Sequence, residues 1–168
     1  MKKLKLLFTL VLLALLTTNC EKDDLCAEDV TTPMIVLEFY SNSDRTTLKP
    51  VTNLKVTGLG LADSLANFNN VSKIMLPLKT TEDATEYSLV LFSTSEALKN
   101  ENLLRFNYTR NNVYVSRACG YKTLFQLDRT TPFVLTDIAP LDNLWIRGIS
   151  VEQPNIENQN ETHINIYY

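Results

Sequence analysis

Residues 103–128 read LLRFNYTRNNVYVSRACGYKTLFQLD. Leu104, Phe106 and Tyr108 occupy alternate positions, as do Val113 and Val115, and then Tyr121, Thr123, Phe125 and Leu127. Apolar and aromatic residues recurring every second position mark half-buried strands. Asn111-Asn112 reads as a tight turn between the first two segments, and Gly120 as a break before the third. The same pattern extends outward in both directions. Residues 34–40 place Ile35, Leu37 and Phe39 on one face, and residues 51–58 set Leu54 and Val56 against Lys55 and Thr57. Residues 73–78, 86–93 and 133–136 give further short segments, and residues 143–152 hold Trp145 and Ile149. The chain closes with Ile164, Ile166 and Tyr168 alternating with His163, Asn165 and Tyr167. That makes about eight or nine strands at intervals of about 10–15 residues. Residues 93–101 suit a helical turn or two, and there is no long amphipathic stripe. The expected fold is all-β, an antiparallel, immunoglobulin-like β-sandwich.

Composition narrows the function. The 168 residues suit one domain. One histidine cannot build a multi-histidine metal site, and four glycines hardly supply a phosphate-binding loop as well as the turns. A net charge of -3 and a pI near 5.2 give no basic footprint for nucleic acid.

The N-terminus gives an address. Lys2, Lys3 and Lys5 precede an apolar run over residues 6–16, and Thr17-Thr18-Asn19-Cys20 closes it. This is the secretory signal pattern, and the run is shorter than the ~20 apolar residues of a membrane span. Cys20 stands where bacterial lipoproteins carry their acylated cysteine. Thr17 and Asn19 depart from the usual residues before it, a looseness that Bacteroidetes lipoproteins tolerate. Lys22, Asp23 and Asp24 resemble the lipoprotein export signal of Bacteroidetes surface lipoproteins. The expected organisation is a signal peptide over 1–19, a lipidated tether over 20–32 and a β-sandwich over 33–168. The expected location is the outer membrane, lipid-anchored, on the cell surface in preference to the periplasmic face. Processing removes three lysines and no acid, leaving 13 of the 16 basic residues against 19 acidic ones, a net charge of -6. Attachment therefore rests on lipid and not on basic residues.

Cys26 and Cys119 remain. In an oxidising compartment two cysteines suggest one bridge, with two free buried thiols as the alternative. The bridge closes a loop of about 90 residues, worth about 4–5 kcal/mol in the chain-entropy picture. Because Cys26 follows Cys20 by six positions, about 20 Å of extended chain separates them at most. Asp63-Ser64-Leu65 resembles the Bacteroidetes O-glycosylation acceptor, which makes Ser64 a candidate.

Candidate chemistry is thin. His163 reads as an exposed strand histidine, with Glu161 its one neighbouring carboxylate. Arg105, Arg117, Arg147 and Glu38 read as a solvent-facing row, and most of the seven tyrosines as core edges. No pair of carboxylates is set up for general acid–base work. The expectation is no enzyme, no cofactor and no metal. The lipoprotein box, the expected bridge and charges on the outward faces argue against a transmembrane barrel.

The chain is similar to a family of small, uncharacterised Bacteroidetes lipoproteins. The likeness rests on Cys20-Glu21-Lys22-Asp23-Asp24 with Cys26, Thr31-Thr32-Pro33, residues 48–54 and residues 107–122, above all Arg117-Ala118-Cys119-Gly120-Tyr121-Lys122. It implies compartment and class, and no activity. The functional expectation is a non-catalytic, membrane-anchored lipoprotein that serves as a binding or accessory subunit for another envelope component, such as an outer-membrane protein complex. The alternative is a surface module that binds a glycan or small ligand.

Overall fold

The computed structural model describes residues 31–61, 65–139 and 143–168. Residues 32–113 and 123–168 form one compact unit, and residues 114–122 belong to a second. Among the described residues there are eleven strands and no helix. In chain order they are β1 (Ile35–Tyr40), β2 (Leu54–Gly58), β3 (Leu65–Phe68), β4 (Lys73–Leu76), β5 (Ala84–Leu91), β6 (Asn100–Ser116), β7 (Gly120–Leu127), β8 (Phe133–Asp137), β9 (Gly148–Val151), β10 (Asn155–Ile156) and β11 (Ile164–Tyr167).

They make two open sheets and no closed barrel. The smaller runs β4-β1-β11-β9, and the larger runs β10-β7-β6-β5-β2-β3 with β8 also paired to β6. This is the expected sandwich. The alternation read from the sequence sets which side chains face inward. Ile35, Leu37, Phe39, Ile74, Leu76, Ile164 and Ile166 come from the smaller sheet. They share one core with Leu54, Val56, Tyr87, Leu89, Leu104, Phe106, Phe125 and Leu127 from the larger. Each such side chain contributes about 1.5–3 kcal/mol by leaving water.

Four local expectations are corrected. The sandwich is not wholly antiparallel: β1 and β11 run parallel, with Leu37 opposite Ile164 and Phe39 opposite Ile166. Parallel neighbours need a long connection, and here most of the domain intervenes. Asn111-Asn112 is not a turn. It lies inside β6, and the Asn112 side chain accepts a hydrogen bond from Thr123 Oγ1 (2.9 Å) instead of turning the chain. Residues 93–101 hold no helix. They form turns, in which Lys99 N donates to Ser95 O (2.9 Å), before β6 begins at Asn100. Two short strands, β3 and β10, raise the count above the expected eight or nine.

Trp145 and Ile146 also differ from expectation. They precede β9 and plug the core instead of lying in a strand. Trp145 Nε1 donates to Leu89 O (3.1 Å), and Ile146 N donates to Oδ1 of the buried Asn102 (3.2 Å). Both bonds satisfy polar groups that would otherwise be costly to bury.

Candidate functional site

Cys20, Lys22, Asp23, Asp24, Cys26 and Ser64 lie outside the described residues. Cys119 is described. It ends the three-residue turn 117–119 that joins β6 to β7, and its backbone N–H donates to Ser116 Oγ (3.0 Å). The next residue, Gly120, has φ +68°, the left-handed conformation that a three-residue hairpin loop favours. Cys119 is not a free thiol.

His163 is not an exposed strand histidine. It precedes β11 and is 1% exposed. Its Nδ1 accepts a hydrogen bond from Val36 N (2.9 Å), while its own N–H donates to Val36 O (3.0 Å). A ring that accepts at Nδ1 carries its proton on Nε2 when neutral. Burial pushes the imidazole pKa down, against a smaller upward pull from Glu161. This histidine ties β1 to the last strand.

The arginines do not form a row of strand residues. Arg105 lies in β6 and is exposed, whereas Arg117 and Arg147 lie in connections. Glu38 in β1 pairs with Lys73 (2.7 Å). Burial would raise its pKa, but hydrogen bonds from Lys73, Tyr40 and Thr162 outweigh that and hold the carboxyl below its ordinary value. The tyrosines divide. Tyr87, Tyr108 and Tyr167 are buried, and Tyr40 and Tyr168 are half-buried. Tyr114 and Tyr121 are 57% and 71% exposed, with ring centres 5.4 Å apart and planes at 69°.

A groove of about 490 Å³ lies on the outer side of the larger sheet. Its floor is a cross-strand row in which Lys55 of β2 faces Val90 of β5, and Val90 faces Glu101 of β6. Ile138, just beyond β8, continues it. The turn segment after β5 overhangs the floor with Glu96 and Lys99, which pair at 2.6 Å. That segment starts at Phe92, whose φ of +52° is unusual for a bulky residue. Its rim and floor thus alternate cation, apolar and anion, and no aromatic ring lines it. Such a lining can accept a polar segment with complementary charges. No group of three or more His, Cys, Asp or Glu is placed to hold a metal among the described residues. The groove escaped sequence reading because its members come from β2, β5, the turn after β5, β6 and the residues beyond β8. Each looks like an ordinary outward-facing position until the register is known.

Among protein families, the model of a family of unknown function, DUF6452, matches residues 53–168. That is well over half of the chain, and the chain belongs to this family. No curated protein and no solved structure matches it.

Proposed function

We propose that this family member is a non-catalytic lipoprotein of the outer membrane that binds another envelope component. The reading includes removal of residues 1–19, acylation of Cys20, and export to the surface directed by Lys22, Asp23 and Asp24. It also includes a Cys26–Cys119 bridge and glycosylation at Ser64. The observation that carries the binding role is the groove over Lys55, Val90, Glu101 and Ile138, open and lined with both charges. Shallow mixed-charge surfaces suit protein segments, where charge placement gives specificity more than affinity. Deep apolar pockets suit small ligands. The buried polar side chains support the same reading. His163 and Thr85 spend their hydrogen bonds holding strands together, and Asn102 accepts one from Ile146, ahead of β9.

The alternative, a glycan-binding module, draws on the exposed Tyr114 and Tyr121. Their rings meet edge to face, however, and present no common flat surface for a sugar ring.

The test is affinity capture of the tagged protein from its own membranes in gentle detergent, after crosslinking. One envelope protein is expected to co-purify, and the charge reversal Lys55→Glu with Glu101→Lys is expected to release it. Recovery of the lipoprotein alone would count against the binding role. Recovery of the same partner with the reversed variant would remove the groove from it.

A further inference from the structure

We propose that the turn carrying Cys119, residues 114–122, is a second membrane contact that rests on anionic phospholipid headgroups. The sequence there is Tyr114-Val115-Ser116-Arg117-Ala118-Cys119-Gly120-Tyr121-Lys122. It holds two basic residues and no acidic one, in a chain that carries 19 acidic residues. A lipid phosphate surface therefore attracts this segment while mildly repelling the acidic remainder.

The aromatic content points the same way. Tyr121 is the most exposed of the large apolar side chains among the described residues, and Tyr114 packs against it. Tyrosine has an apolar body and a polar tip, which is why it collects at membrane–water interfaces. Arg117 is exposed in the turn beside them, and a guanidinium fork matches phosphate oxygens. Two interfacial rings with Arg117 in the adjoining turn form a small patch whose own hold on a membrane is weak and confined to low salt.

The tether supplies what the patch lacks. This step rests on the lipid anchor and the Cys26–Cys119 bridge proposed above. With both in place, the turn is joined to the acylated residue by at most about 20 Å of chain. A tethered contact operates at a high effective concentration, so individually weak contacts become populated. The occupant is thus a lipid surface, chosen by charge and by reach.

The test uses the full lipidated protein in protein-free vesicles of phosphatidylethanolamine and phosphatidylglycerol. Hydroxyl-radical labelling of Tyr114 and Tyr121 is compared with that of the soluble Cys20→Ser form. Labelling of both rings is expected to fall about fivefold or more in vesicles. The double variant Arg117→Glu with Lys122→Glu is expected to restore it while the protein stays membrane-bound. Equal labelling in vesicles and in solution overturns the proposal, and protection that appears only when another envelope protein is added overturns it in favour of a protein partner. Intact mass reports acylation separately. If Cys20 is unmodified the anchor reading fails, and flotation of the soluble form with the same vesicles at low salt then decides the contact. Flotation lost in Tyr114→Ser with Tyr121→Ser supports the contact, and no flotation of the parent overturns it.

Discussion

At the scale of the residue, His163 shows how an ionisable group becomes structural. Its ring accepts from Val36 N, its N–H donates to Val36 O, and its carbonyl accepts from Glu152 N (2.9 Å). Burial holds its pKa below the ordinary value of 6.5. Above that value the ring is neutral whether the chain is folded or not, and its contribution to stability is complete. As the pH falls below 6.5 the unfolded chain takes the proton first. Stability then declines until the depressed folded pKa is passed, by at most about 1.4 kcal/mol per pH unit. Urea unfolding is therefore expected to show a lower midpoint at about pH 5 than at about pH 7.5. His163→Gln keeps an acceptor for Val36 N but removes the titration, so its midpoint should be lower at neutral pH and flatter toward acid. An unchanged slope in the variant would assign the acid sensitivity to other groups. The sequence shows the histidine but not its burial, because a residue just ahead of a strand is exposed or covered according to the neighbour it meets.

At the scale of the element, β6 and β7 carry most of the information. Leu104, Phe106, Tyr108, Phe125 and Leu127 are all buried, as their alternation implies. What alternation could not supply is where β6 ends. Asn111-Asn112 has turn chemistry, yet Asn112 bonds across to Thr123 and the strand runs on to Ser116. The reversal falls instead at residues 117–119, ahead of Gly120 in the left-handed region. A Cβ at Gly120 would meet nothing within 4 Å, so space is not the constraint. The backbone conformation is. Gly120→Ala should cost about 1–2 kcal/mol, readable as a lower denaturation midpoint. An unaffected midpoint would mean that the turn relaxes to another conformation. The parallel contact of β1 with β11 was hidden for a different reason. Both strands read correctly on their own, and nothing in either specifies which neighbour it takes.

At the scale of the whole molecule, the open sheets leave the groove on one face, and the proposed bridge joins Cys119 to the N-terminal tether. If Cys26 and Cys119 are joined, non-reduced protein takes up no alkylating label at either residue. Reduction then lowers stability by about 4–5 kcal/mol. Mass measurement of labelled peptides checks the first, and denaturation with and without reductant the second. Two labelled cysteines before reduction would leave the tether long and the turn untethered.

The sequence by itself determined the all-β class and the inward faces of the principal strands, and its motif at Cys20 raised the expectation of a lipid anchor. These follow from local alternation and local motif chemistry, which a linear reading contains. Only the tertiary structure decided the parallel closure of β1 on β11, the burial of His163, the groove row Lys55–Val90–Glu101 and the meeting of Tyr114 with Tyr121. Each of these depends on strand register and on partners distant along the chain. Register is set by how two hydrophobic faces fit together, and no single strand encodes that fit.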